Sequence, residues 1–358
     1  MSSSSSSSSS SSAAADIPPA RIREYSGDQT RDVAIAFIVI EIVAVGLRYL
    51  AFMLSEKRFG IDDILMIPGL ILCLALNTSA LIGIRLGRVG YHLDVVKALY
   101  PEAMVPWAKV LVVTPIVYSA ACMVPRVVIL ALYLRIFHER KYRIACYVLI
   151  AVVVALGVAD ILTGAFECIP LAYLWDKTIP GGRCIDLTQF FRYGTLPNVF
   201  VDLLMLILPQ PVIWKLQTSR QVKIGLAATI LTGSVGMITS IMRCVAFFQS
   251  NPLEDGTWTS VTFLSWSIIE PGVYLLAACL PCYRPLILAA VRLTAHHTAK
   301  RSGTSYLNLS DSKSADARWK NNEPEAVELY PYQVKTGRST EQGLPEEDKK
   351  KRIGYARD

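Results

Sequence analysis

Seven long apolar stretches, each bounded by a short polar break, run along the chain: Val33–Met53, Ile64–Ile84, Val105–Phe137, Ile144–Phe166, Leu196–Trp214, Ile224–Phe248 and Val261–Tyr283. An α-helix needs about 20 apolar residues to cross the roughly 30 Å hydrocarbon core of a bilayer. The pattern therefore predicts an all-α, polytopic membrane protein, a bundle of seven transmembrane helices.

Composition agrees. The 358 residues are 53% hydrophobic and 18% charged, against about 25% charged in an average soluble chain. The charges gather in the breaks and at the two ends, which predicts one membrane domain over 28–290 between polar tails. Residues 1–27 open with Met1 and an unbroken serine run, Ser2 to Ser12, and such a segment cannot build a core. It lacks the charged start, short apolar stretch and cleavage site of a secretory signal, so the first membrane helix is expected to act as an uncleaved anchor. Residues 291–358 are rich in Ser, Lys, Glu and Pro and read as a disordered cytosolic tail, either a docking or phosphorylation segment or solubilising filler. The net charge of +7 sits in helix-flanking loops, where anchoring at a membrane surface explains it better than nucleic acid does.

Lys and Arg accumulate in cytoplasmic loops. Three short breaks carry Lys57 and Arg58, then Arg140, Lys141 and Arg143, then Lys215, Arg220 and Lys223. The longer opposite loops hold Arg85, Arg88, Lys97, Lys177, Arg183 and Arg192. Density favours an outside amino terminus and an inside carboxyl terminus (N-out, C-in). Of eight cysteines, Cys73, Cys122, Cys146, Cys244 and Cys279 fall inside predicted spans. Cys168 and Cys184 share the loop between the fourth and fifth helices. They are either a disulfide, which requires that loop to face the oxidising side and so agrees with N-out, or two free thiols. Cys279 and Cys282 have redox-motif spacing without a thioredoxin context, so packing, or palmitoylation of Cys282, is the expectation.

Ionisable residues at mid-bilayer cost at least about 2.5–3.5 kcal/mol and normally face the bundle interior with a partner. Glu41, Arg126, Asp160, Asp202, Arg243 and Glu270 occupy such places. At about 1.5 Å of rise per residue, Asp160, Asp202, Arg243 and Glu270 fall at comparable heights in the outer half of four different helices. They are candidates for a pocket that holds a ligand or ion, with Glu41 and Arg126 as further buried partners. The competing reading is a set of salt bridges that fixes helix register. Pro115, Pro125, Pro197, Pro271 and Pro281 lie within spans, where each frees a backbone carbonyl and permits a kink.

The order of these residues resembles the fungal rhodopsin-domain family of seven-helix, receptor-like integral membrane proteins. The match is carried by Gly60 with Asp62-Asp63, Gly90 and His92, Trp107, Tyr118, Tyr133–Phe137, Cys168-Ile169-Pro170 with Trp175 and Cys184, Asn198, Asp202, Pro209, Pro211 and Trp214, Arg243, Trp266, Ile269-Glu270 and Cys279-Leu280-Pro281. Many relatives have a Lys-Leu-Ser stretch where this chain has Pro125-Arg126-Val127, which keeps a cation and changes its geometry. The family name suggests retinal, yet no lysine occurs between Trp258 and Leu288 to form a Schiff base in the seventh helix. No cofactor is expected. Tyr133-Leu134-Arg135 does not reproduce the acidic-Arg-aromatic triplet of animal G-protein-coupled receptors.

The resemblance implies a receptor-like or sensory protein of the plasma membrane. It would hold an outer-half pocket for an unidentified small molecule and a basic inner surface (Arg140, Lys141, Lys215, Arg220) for a cytosolic signalling partner. Two alternatives use the same charges: a transporter, or an intramembrane enzyme or accessory protein of secondary-metabolite biosynthesis. No internal repeat of the kind many transporters possess is evident. His92 with Asp94 supplies too few groups for a closed metal site, so no metal is expected.

Overall fold

The computed structural model describes residues 17–54, 60–137, 139–176, 178–211, 220–249, 255–283 and 286. The chain divides into two units, 1–295 and 296–358, and the described residues all belong to the first. They form helices α1 (Pro19–Arg23), α2 (Gly27–Met53), α3 (Ile61–Leu86), α4 (Leu93–Leu99), α5 (Met104–Ile136), α6 (Arg140–Ala165), α7 (Leu187–Ile207), α8 (Arg220–Gln249) and α9 (Gly256–Cys279). A two-stranded antiparallel ribbon, β1 (Cys168–Ile169) and β2 (Arg183–Cys184), lies between α6 and α7.

Among the described residues, five segments are long and apolar enough to cross a membrane: Pro19–Met53, Ile61–Leu86, Pro101–Ile136, Arg140–Ala165 and Gly256–Tyr283. Helices α7 and α8 carry shorter apolar stretches, Tyr193–Ile207 and Ile230–Ala246. Thr195, Asn198 and Asp202 lie within α7, and Ser234, Thr239, Ser240 and Arg243 within α8, so these two helices carry much of the polar interior.

The long helices start earlier than the apolar pattern predicts, most of all α7, which begins at Leu187 rather than Leu196. A first turn tolerates polar residues because its N–H groups need partners from outside the helix. At α3 the Asp63 carboxylate accepts from the Gly60 N–H at 3.1 Å, so the polar pair that opens this helix helps to cap it. The end of the predicted fifth span, 212–214, lies outside the described residues.

The expected irregular tail over 1–27 needs correction at its described end. Pro18 and Pro19 start α1, proline being pre-organised for a first helical turn. Arg21 holds this helix down through Asp94 at 3.0 Å and Asp255 at 3.6 Å. The Ser26 N–H then donates to the Gly90 carbonyl at 3.1 Å, next to the positive φ of 109° at Gly90, which glycine adopts without strain.

Consecutive long helices are neighbours, and α9 closes the ring against α2 while also packing on α5 across the middle. The seam between α6 and α7 is the loosest in the ring. Buried Met66, Leu76, Ile129, Leu130 and Leu275 build the main core, and Ala34, Ile84, Val89, Leu264 and Ile268 form a second cluster towards the other end of α9. Outward-facing Val39, Ile71, Val148, Phe200 and Leu231 are 57, 60, 56, 60 and 71% exposed. An apolar exterior of this extent suits lipid, since soluble monomers rarely expose large contiguous apolar patches.

Candidate functional site

Four helices each send a charge to one point in the bundle. From α5, the Arg126 Nη2 group donates to Asp202 Oδ2 of α7 and to Glu270 Oε1 of α9, both at 3.0 Å. From α8, Arg243 Nε donates to Glu270 Oε2 at 3.1 Å. Glu270 is fully buried, and its carboxylate also accepts from the Tyr118 hydroxyl at 2.7 Å. Ser240 Oγ lies 2.7 Å from Asp202 Oδ2 and 2.6 Å from Glu270 Oε1, and its single proton can serve one of them at a time.

Aromatic faces complete the lining of the arginines. The Arg243 guanidinium lies 4.2 Å from the centre of the Tyr118 ring, and that of Arg126 lies 5.0 Å from the centre of Tyr274. Both distances suit cation–π attraction. Gly236 of α8 makes the approach of Tyr274 feasible, because a Cβ there would stand 2.6 Å from that ring. Opposite charges, hydrogen bonds and aromatic faces together offset the desolvation of these groups.

Asp160 joins through an intermediary. Arg126 Nη1 donates to Asn198 Oδ1 at 2.9 Å, and Asn198 Nδ2 donates to Asp160 Oδ2 at 3.2 Å. Asp160 on α6 and Thr195 and Asn198 on α7 face each other across the loose seam. Together with Tyr118, Ser119 and Arg243 they line a cleft that encloses about 40 Å³, room for about three waters.

The structure thus brings Asp160, Asp202, Arg243 and Glu270 together and puts Arg126 at their centre. Glu41 stands apart, accepting from Asn77 Nδ2 at 2.9 Å between α2 and α3. Cys168 and Cys184 form a disulfide across the ribbon, with S–S 2.03 Å. Arg140 and Lys141 open α6, where Lys141 pairs with Glu139 at 3.1 Å. Arg220 opens α8, and Lys215 lies outside the described residues.

Two further polar clusters flank the centre. Arg48 on α2, 1% exposed, donates to Asp62 at 2.9 Å, to Asp63 at 2.8 Å and to the Ala278 carbonyl at 2.6 Å. At the other end, His92 bonds Asp255 through Nδ1 and Glu24 through Nε2 at 3.0 Å, while its ring stacks on Trp258 with centroids 4.2 Å apart. Asp255 also accepts from the Leu93 N–H at 2.8 Å. Burial lowers the basicity of His92, but its bonds to Asp255 and Glu24 outweigh that and raise its pKa above the ordinary 6.5. Asp94 pairs with Arg21 instead, and among the described residues no group of His, Cys, Asp and Glu could hold a metal ion.

Residues 47–289 match the sequence model of the fungal rhodopsin domain. The chain belongs to that family. Every member of the central network lies within the matched fungal rhodopsin domain, whereas Glu41, Glu24 and Arg21 precede it. The polyenoic acids biosynthesis gene cluster protein Ba17b of Metarhizium anisopliae is 31% identical over 274 residues, 74% of this chain and 75% of its own. The wortmanamides biosynthesis cluster protein C of Talaromyces wortmannii is 26% identical over 287 residues, 79% of this chain and 77% of its own. A SAT4 family membrane protein of Emericella nidulans is 31% identical over 184 residues, 51% of this chain and 46% of its own. No solved structure matches.

Sequence reasoning does not assign Asn198, Ser240 and Tyr274 to this site. Asn198 precedes Asp202 by four residues and Tyr274 follows Glu270 by four, so each pair shares a helix face. Ser240 precedes Arg243 by three. That spacing was the available signal. Arg48 is also missed, because a basic residue near a helix end reads as one that snorkels to the interface.

Proposed function

We propose that this fungal rhodopsin domain is a receptor-like protein with seven membrane crossings, α2, α3 and α5 to α9, its amino terminus outside and its carboxyl terminus in the cytosol, at the plasma membrane. The observation that carries this reading is the ion network, because one side of it opens into the cleft at the α6–α7 seam. A small molecule seated there would meet Asp160, Arg243 and Asn198. Each is linked directly or through Arg126 to Glu270, so occupancy of the cleft bears on all the helices that meet at this point. A ligand that favours one packing of these helices shifts a pre-existing equilibrium, with the proline-containing helices α5 and α9 as its moving parts. The bases Arg140, Lys141, Lys215 and Arg220 form the cytosolic partner surface in this proposal. Helix α9 offers no lysine, so a retinal Schiff base has no part in it.

The names of two relatives favour a second reading, an accessory or transport role in secondary-metabolite biosynthesis, with the metabolite as cargo in the same cleft. One experiment separates the two. The purified full chain in sealed vesicles is screened against fungal metabolites for saturable binding and for accumulation inside, with Asp202→Asn and Arg243→Gln as comparisons. Saturable binding without accumulation, lost in the variants, supports the receptor. Accumulation supports the carrier, and turnover to a new product supports an enzyme.

A further inference from the structure

We infer that the cleft selects a primary amine carried on an apolar body. This deepens the ligand-site reading above and rests on it. Two cavities meet at Pro115 and Phe263, which line both. One runs between Val89, Trp107, Leu111 and Leu264 and is almost wholly apolar. The other is the polar cleft that ends at Asp160 and Arg243. The apolar faces of Pro115 and Phe263 thus border the polar end of the cleft.

Charge decides what the polar end takes. Arg126 is matched by Asp202 and Glu270, and Arg243 by Glu270. Two arginines therefore face three carboxylates, and Asp160 is the one left over. It accepts one hydrogen bond, from Asn198, and forms no ion pair among the described residues. A carboxylate at membrane depth normally has a partner of opposite charge. A ligand ammonium supplies that partner, with Thr195 and Ser119 close by in the same cleft. A carboxylate head would instead add a fourth negative charge beside three carboxylates and two arginines.

Hydrogen bonding sharpens the choice. A primary ammonium brings N–H donors for the Asp160 carboxylate, which a trimethylammonium lacks, and about 40 Å³ admits it with a little water. The first carbons of the apolar body would then lie against Phe263 and Pro115, where apolar burial contributes about 0.8 kcal/mol per methylene; the cavity towards Trp107, about 10 Å³, is too small to take a chain.

The test uses the full chain in lipid nanodiscs and four probes of equal chain length: octylamine, octanol, octanoate and octyltrimethylammonium. Each is titrated while thermal unfolding is followed, in the wild type, Asp160→Asn, Asp160→Glu and Arg243→Gln. Octylamine is expected to raise the unfolding temperature saturably in the wild type and in Asp160→Glu. In Asp160→Asn its affinity should fall about tenfold or more, the scale of one charge-assisted contact. The other three probes should give no saturable shift. Equal shifts with octylamine in wild type and Asp160→Asn overturn the inference. If octanol or octanoate gives a saturable shift that Arg243→Gln removes while octylamine gives none, the amine assignment fails and the ligand cleft stands. If no probe gives a shift that depends on Asp160 or Arg243, both readings fail.

Discussion

Arg126 and Glu270 meet at 3.0 Å in the middle of the bundle, and each has a proline as its sequence neighbour, Pro125 before the arginine and Pro271 after the glutamate. Each proline leaves one backbone carbonyl of its helix without the usual N–H partner. A buried interhelical ion pair is thus placed where the two helices are most easily bent. Tyr118, Ser240 and Arg243 also bond Glu270, so this single side chain ties α9 to α5 and α8. Such an arrangement suits a bundle that repacks between a few discrete states.

Arg48 should be the most sensitive residue outside this centre. Truncation in Arg48→Ala leaves Asp62 and Asp63 buried without their cation, a change that typically costs about 3–5 kcal/mol. Thermal unfolding in detergent measures it. Arg48→Lys should recover part of the loss, since a single ammonium cannot serve Asp62, Asp63 and the Ala278 carbonyl together.

The end of the bundle around His92 should respond to pH. The pKa of this histidine in the folded protein is raised above 6.5, so its stabilising contribution is present in full below that value. The contribution fades as pH rises through the raised pKa and the imidazolium loses its proton. Arg21 also faces Asp255 and pairs with Asp94, so part of the electrostatic hold on this end does not depend on His92. The difference in unfolding temperature between wild type and His92→Gln should therefore be larger at pH 5.5 than at pH 8.5. An equal difference at both values contradicts this role for the histidine.

The disulfide supplies a test of orientation. Cys168 and Cys184 are 16 residues apart in sequence, and a closed loop of that size is worth about 3 kcal/mol in the chain-entropy account. Cys168→Ser with Cys184→Ser should lower thermal stability accordingly. After mild reduction of intact cells, a membrane-impermeant maleimide should label both thiols from outside. Labelling that requires permeabilised cells would reverse the proposed orientation.

Much of the bundle was legible because lipid makes two demands that sequence displays directly: long apolar helices and few charges within them. Asp160, Asp202, Arg243 and Glu270 stood out for the second reason, and their helical rise placed them at one level. Ser240, Asn198 and Tyr274 did not, since a serine, an asparagine or a tyrosine in an apolar helix is inexpensive and announces no partner. The end of the bundle around His92 was illegible for a different cause. Helix α1 is held by Arg21 to Asp94 and Asp255, residues far away in sequence that no local pattern connects. Asp62 and Asp63 were visible as a pair, yet their cation lies on another helix.

The central claim is that Arg126 and Asp202 belong to one buried network rather than to separate sites. A double-mutant cycle on thermal unfolding in nanodiscs tests it, with Arg126→Gln, Asp202→Asn and the two combined. Each single change should leave a charge under-compensated, and the double variant should lose less stability than the two losses added, by at least about 1 kcal/mol. Losses that simply add, within about 0.5 kcal/mol, would contradict the account.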